Sequence, residues 1–249
     1  MTDTGSRLPA AVEQLWGLRE PTRRGGPKPA LSLDRIVAAA VGLADEGGLA
    51  ALSMSRLAEK LGFTTMSVYR YVASKDDLLV LALDAAIGQP PEIDPAAAWR
   101  DQLVAWAQEL QVRYRAHPWM TDVPISGLPA GPSQMLWFEF GLRALAGTTL
   151  QPGERASTVL LLATFVRAET QLAQDLTRAA RSAGGRPTID WAEVVRRVAD
   201  PARFPEVAAT VAAGIFDDDP EEFPDDEFGF GLQRILDGVE ALHRSRVSA

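Results

Sequence analysis

Residues 53–72 read SMSRLAEKLGFTTMSVYRYV, and the single glycine in the middle narrows what this stretch can become. Leu57 and Leu61 stand four apart, on one face of a helix, and Gly62 follows as a residue that accepts the left-handed backbone of a helix end. The run after it, from Thr65, is shorter still. Isolated helices below about 12 residues are marginal in water, so two such pieces persist only by packing on each other and on neighbours. Ala58 is small where the two must approach, and Leu57, Leu61, Phe63, Val68 and Val72 point to a shared core. Thr65, Met66, Ser67, Tyr69 and Arg70 are then left on the outer side.

The flanks supply the neighbours. Ser32 is a good N-cap for LDRIVAAAVGLADEGG, with Asp34 in the first turn, Leu33, Ile36, Val37, Ala40 and Leu43 or Ala44 at helical spacing, and Gly47-Gly48 as the stop. Ser74 with Asp77 three residues on is a capping box for KDDLLVLALDAAIG. Four helices therefore precede Gln89-Pro90-Pro91, a natural boundary. Beyond it no strand-like alternation of useful length occurs. The segments PAAAWRDQLVAWAQELQVRYRAHP, SQMLWFEFGLRALAG, GERASTVLLLATFVRAETQLAQDLTRAARSAGG, DWAEVVRRVAD and DEFGFGLQRILDGVEALHR all carry helical periodicity between Pro or Gly borders. The expected fold class is all-α: a flexible basic arm over 1–31, a helical unit with a linking helix over 32–88, and a larger helical domain over 89–249.

Charge is distributed unevenly. The formal net charge is −8, yet between Arg19 and Lys75 nine basic residues face five acidic ones. The only net-positive block thus surrounds the short helix pair. Two short helices joined by a tight turn can lay one helix in the DNA major groove while the other braces it against the backbone. Arg takes guanine bidentately, Thr and Ser touch base edges or the thymine methyl, and Tyr hydrogen-bonds phosphate. Arg23, Arg24 and Lys28 in the arm either lie along the minor groove or add nonspecific attraction; a solvated tail is the bland alternative.

Other function classes find little support. No HExxH, G-x-S-x-G or Walker loop occurs, and His117 and His243 lie far apart in the chain. No catalytic residue, metal site or cofactor is therefore expected, although a helical enzyme or a protein-interaction adaptor without DNA binding is the alternative. The acidic run 217–227 has Pro220 and Pro224 inside it and lacks the glycine of a calcium loop, so it reads as a solvated loop. Cysteine is absent, which suits a reducing compartment, and the apolar runs at 78–83 and 158–166 are too short to span a bilayer. A cytoplasmic protein with no membrane contact is expected.

The stretch LSMSRLAEKLGFTTMSVYRYVASKDDLL resembles the helix-turn-helix DNA-binding domain of the tetracycline-repressor (TetR/AcrR) family of bacterial transcription regulators, over roughly residues 31–87. By matched position, the resemblance implies base contacts from Thr65, Met66, Ser67 and Arg70, with Ser55 contributing from the preceding helix, and phosphate contacts from Tyr69, Tyr71 and Lys75. Thr64, at the start of the reading helix, belongs to the same DNA-binding set. Tyr71 stands where the family often has His. The resemblance also implies a homodimer on a palindromic double-stranded operator, repressing until a small-molecule effector releases it. Its interface would come from helices near 155–181 and 227–244 paired as a four-helix bundle. Val159, Leu162, Ala163, Val166 and Thr170 make one stripe and Ile235, Leu236, Val239 and Leu242 another, although a monomer core would use the same stripes.

Helical domains enclose small apolar ligands between helices, with a few polar groups fixing orientation. Candidates for a mainly apolar effector are Trp106, His117, Trp119, Phe138, Phe165 and Glu169. His117 sits at a helix end before Pro118, and Glu169 with Arg167 interrupts an otherwise apolar helix.

Overall fold

The computed structural model describes residues 8–18, 30–92, 94, 96–125, 127, 129–182, 191–214 and 225–247, and every regular element among them is helical. In chain order these are α1 (Ala10–Leu15), α2 (Leu33–Ala51), α3 (Met54–Leu61), α4 (Thr65–Tyr69), α5 (Lys75–Ile87), α6 (Trp99–Ala116), a 3-10 helix (Pro118–Asp122), α7 (Pro132–Ala144), α8 (Pro152–Ser182), α9 (Trp191–Val198), α10 (Pro205–Ala212) and α11 (Asp225–Val247). None of the described helices is long and apolar enough to cross a membrane.

The first half is built by local signals. Ser32, Ser53, Thr64 and Ser74 each accept a hydrogen bond from the backbone N–H three residues on, capping α2, α3, α4 and α5 in turn. Ser74 also donates its hydroxyl to Asp77 Oδ2 at 3.0 Å, so the expected capping pair meets side chain to side chain in addition to the Asp77 N–H bond. At the end of α3, Gly62 adopts φ 76°, and the Phe63 N–H reaches the Ala58 carbonyl at 2.9 Å while the Gly62 N–H reaches Glu59 at 3.0 Å. This paired closure satisfies two of the carbonyls that a helix end leaves without partners. At Gly47-Gly48 the chain leaves helical geometry as expected, but it resumes a short turn to Ala51, so the pair is a kink inside α2 rather than its end.

Three features depart from the sequence reading. The arm over 1–31 contains α1, whose Ala11 is fully buried and whose Gln14 Nε2 donates to the Tyr71 carbonyl at 2.6 Å. Pro9 fixes the entry, and the anchor is a contact 57 residues away, which local sequence does not announce. The helix α10 is also additional; it pairs with α9 around Val195 and Val211 as a small cluster apart from the main core. The third is the segment after α6, which tightens into the 3-10 helix, with Trp119, Met120 and Thr121 buried.

One core runs through both halves. Ile36, Ala40, Leu57, Val68, Val72 and Leu78 fill the first part, and Leu103, Trp106, Trp137, Phe140, Leu162, Val166, Leu232 and Leu236 the second. Here most of the two helical stripes find their place: Val159, Leu162, Val166, Leu236 and Val239 are buried within the protomer as part of its own core, while Leu242 stays exposed.

Candidate nucleic-acid interface

Val68 decides which way α4 faces. It is 0 % exposed, locked against α3, and it forces the opposite side outward: Met66 is 72 % exposed and Tyr69 44 %, with Thr64 and Arg70 exposed beside them. Thr65 and Ser67 are half-buried at the edge of that face. Thr64 Oγ1 lies 2.9 Å from Ser67 Oγ and accepts the Ser67 N–H at 3.3 Å, so the first turn is pinned by hydroxyls that remain at the surface. The regular helix ends at Tyr69, although the Tyr71 and Val72 N–H groups still bond back to the Val68 carbonyl.

Ser55 on α3 is exposed, its hydroxyl 3.2 Å from that of Ser53. Arg56 next to it is also exposed and was not singled out from the sequence; a basic residue beside Ser55 at the start of a bracing helix was the available signal. Lys60, by contrast, is held by Glu46 at 2.7 Å, and its charge is offset. Lys75, at the first turn of α5, is exposed and leans toward the Leu49 carbonyl at 3.4 Å. Arg23, Arg24 and Lys28 lie outside the described residues.

Tyr71 is placed differently from the phosphate-gripping role that the resemblance implies. It is half-buried against the core, and its hydroxyl donates to the Leu31 carbonyl at 2.8 Å while its own carbonyl accepts from Gln14. The O–H that a phosphate would need already has an acceptor inside the protein. Its position thus closes the base of the reading unit, joining α1 and the entry to α2.

In the larger domain the six ligand candidates are distributed over α6, the 3-10 helix and its N-cap, α7 and α8. Trp106 is buried, donates to the Trp137 carbonyl at 3.0 Å and meets the Trp137 ring edge-on at 5.9 Å. Phe165 stacks on Phe228 at 5.6 Å, Phe138 is half-buried against the same core, and Glu169 is half-buried on α8. His117 and Trp119 come together on Asp45 of α2. Tyr114 on α6 is half-buried against the same core; burial raises its phenol pKa, opposed by the nearby Arg167 charge. A shallow cleft of about 430 Å³ opens between α2 and α3, lined by Leu43, Glu46, Arg56, Glu59 and Lys60, on the smaller unit rather than among α6–α8. Among the described residues no group of three His, Cys, Asp or Glu is arranged to hold a metal ion. Most of the acidic run 217–227 lies outside the described residues.

Known proteins share this arrangement along nearly the whole chain. Residues 36–82 match the family described as bacterial regulatory proteins, tetR family, and residues 91–243 match the tetracyclin repressor-like C-terminal domain. The HTH-type transcriptional repressor DrrR1 of Streptomyces coeruleorubidus is 39% identical over 255 aligned residues, covering 98% of this chain and 90% of that protein. Among solved structures, apo ActR from Streptomyces coelicolor superposes with a TM-score of 0.68 at 30% identity, covering 86% of this chain and 98% of that one. ActR in complex with actinorhodin gives the same values, a TM-score of 0.68 at 30% identity over 86% and 98% of the two chains. With both halves matched and a repressor aligned from end to end, the chain belongs to the tetracycline-repressor family of bacterial transcription regulators, which act by binding DNA.

Proposed function

We propose that this regulator is a cytoplasmic homodimeric repressor that reads a palindromic operator through α3 and α4 and is released by a mainly apolar small molecule, with no catalytic role. The observation that carries the reading is the outward face of α4: Met66, Tyr69 and Arg70 stand exposed around a fully buried Val68, on a chain whose relatives are DNA-binding repressors. In it Thr64, Thr65, Met66, Ser67 and Arg70 meet base edges, Tyr69 and Lys75 meet phosphate, and Ser55 adds a contact from α3. Arg23, Arg24 and Lys28 supply sequence-independent attraction near the same site.

Two-fold symmetry follows from the size of one reading unit, since dimers engage half-sites one or more helical turns apart. The apolar residues left exposed on the two long helices, Leu161, Leu172 and Leu176 of α8 and Phe230 and Leu242 of α11, support an interface there. The effector reading is supported by ActR, which has been crystallised with actinorhodin and with (S)-DNPA. The residues 32–88 would then form the DNA-binding unit and 89–249 the effector and dimerisation unit.

The test is an electrophoretic mobility shift on the DNA upstream of the protein's own gene. A complex that survives scrambled competitor and weakens steeply as salt rises is expected. Binding no tighter than to the scrambled fragment at any salt concentration would overturn the reading.

A further inference from the structure

Two carboxylates connect the DNA-binding unit to the larger domain, and they are built differently. Asp84, near the end of α5, is only 4 % exposed, and its two oxygens accept the Ser133 and Gln134 backbone N–H groups at 3.2 and 3.0 Å. It thereby caps α7 from another helix. Gly131 makes room for it: a Cβ there would lie 2.1 Å from Asp84 Oδ1. Asp45, on α2 just before the Gly47-Gly48 kink, presents Oδ1 alone to two partners, accepting from Trp119 Nε1 at 2.7 Å and lying 2.8 Å from His117 Nδ1.

Behind Trp119 the contacts continue into the centre of the larger domain. The α8 residue Arg167 donates through Nη2 to the Thr121 and Val123 carbonyls at 2.7 and 2.5 Å, gripping the exit of the 3-10 helix. Also on α8, Gln174 accepts from the Thr121 hydroxyl at 3.1 Å and donates to the Tyr114 carbonyl of α6 at 3.1 Å. A shift of α8 is therefore passed to the 3-10 helix and its exit by three hydrogen bonds, and from there to α2 by one carboxylate oxygen. Trp119, 1 % exposed, gives its N–H to this oxygen.

From this asymmetry we infer that Asp84 is a fixed pivot and Asp45 an adjustable latch, and that together they set the angle at which the DNA-binding unit sits on the larger domain. A buried carboxylate holding two backbone N–H groups is costly to open, since its charge would be left without partners. Asp45 is about one-third exposed, so water can replace its partners, and the exchange is cheap enough to have two states. This assigns Asp45, His117 and Trp119 as positioning residues for DNA binding, and gives the kink after Asp45 a use as the point about which α2 follows the latch. The inference rests on reading α3 and α4 as the DNA-contacting pair.

The chain has no cysteine, so two can be introduced cleanly. Glu59→Cys on α3 and Glu139→Cys on α7, both exposed, take spin labels that report the distance between the two units within one chain. Doubly labelled protein is diluted into excess unlabelled protein so that each dimer carries one labelled chain, and a monomer reports equally well. Asp45→Ala and Trp119→Phe should each broaden or shift the distance distribution and weaken operator binding about tenfold, and Asp45→Asn, which keeps an acceptor for the Trp119 N–H, should restore most of both. The Phe variant keeps the ring and its packing, so it reads the latch even if the alanine variant fails to fold. An unchanged distribution in Trp119→Phe with operator affinity within twofold of the parent overturns the latch. So does an affinity loss in which the distribution stays put. Loss of specific DNA binding by the labelled parent itself, by contrast, would count against the function reading, while the distance measurement would still judge the latch.

Discussion

The two ends of this molecule are held together by interactions of different reach. In the DNA-binding unit the organising hydrogen bonds span three residues: Ser32 to Arg35, Ser53 to Arg56, Thr64 to Ser67, Ser74 to Asp77. In the larger domain they cross the chain. Trp106 donates to Trp137, 31 residues away, Trp137 to Gly88, 49 away, and Arg100 reaches Gln233, Asp237 and Glu240 on α11, between 133 and 140 away. The first unit can shape its surface with little dependence on distant sequence, and its polar side chains are left over for another molecule. In the second, aromatic and charged groups are consumed in holding the helices to each other.

That difference is broken most directly by removing a buried ring. Trp106→Ala should lose about 3–5 kcal/mol of stability, because it deletes a fully packed side chain and leaves the Trp137 carbonyl without its donor. Urea unfolding measures this, and the variant should still bind its operator at temperatures where it remains folded. Were the loss below about 1 kcal/mol, Trp106 would be lining a cavity and not filling a core.

The opposite substitution addresses the outward face. Tyr69 and Arg70 are exposed and hold no partner that α4 needs, so the double alanine variant should unfold within about 0.5 kcal/mol of the parent. Operator binding should nonetheless fall by about a hundredfold, a base contact and a phosphate contact being removed together. Specific binding that persists within fivefold would detach the exposed face from DNA reading.

What the sequence conveys follows the same division. Ser32, Ser53, Ser74 and Gly62 act on neighbours a few residues off, so their spacing alone places α2, α3 and α5, and the burial of Val68 places the outward face of α4. Tyr71 shows where such reading stops. It sits among outward-facing residues in the chain, but a carbonyl 40 residues earlier and an amide 57 residues earlier draw it into the interior. His117 and Trp119 carry the same lesson: beside a helix end they resemble a ligand spot, whereas the group they serve, Asp45, lies more than 70 residues away. The stripes on α8 and α11 are periodic whichever surface covers them, and only the packed structure shows that Val159, Leu162, Val166, Leu236 and Val239 are covered inside one protomer while Leu242 is not.

Tyr71 also offers a finer test of the division. Tyr71→Phe removes one hydrogen bond to Leu31 and keeps the ring, which should cost about 1 kcal/mol in urea unfolding. Operator affinity should stay within about twofold, whereas a phosphate-gripping phenol would lose more along with part of the salt dependence. The same variant should increase hydrogen exchange at the start of α2, because the Tyr71 hydroxyl ties Leu31 to the reading unit, and leave α1, held by the Tyr71 backbone carbonyl, unchanged.

The smallest expected effect lies at the far end of the larger domain, where α11 returns to the turn between α7 and α8. Arg246 forks onto both oxygens of Glu154 at 2.6 and 2.7 Å, and His243 Nδ1 accepts the Thr149 N–H at 3.1 Å. The Arg246 hydrogen bonds, helped by the Gln151 N–H, bring the Glu154 pKa down to about 2 from an ordinary 4.5. A depressed carboxylate pKa means that the unfolded chain takes up a proton before the folded one does. The contribution of this pair is therefore complete above pH 4.5 and fades as pH falls toward 2. The pair is open to water, so the effect is small and shrinks further with added salt. Arg246→Gln should remove the Glu154 share of the acid limb of a urea-midpoint titration while changing neutral stability little. If parent and variant lose stability in parallel between pH 4.5 and 2, the Arg246–Glu154 pair contributes nothing measurable to holding α11, and the Arg100 contacts, His243 and the apolar packing on α8 hold it.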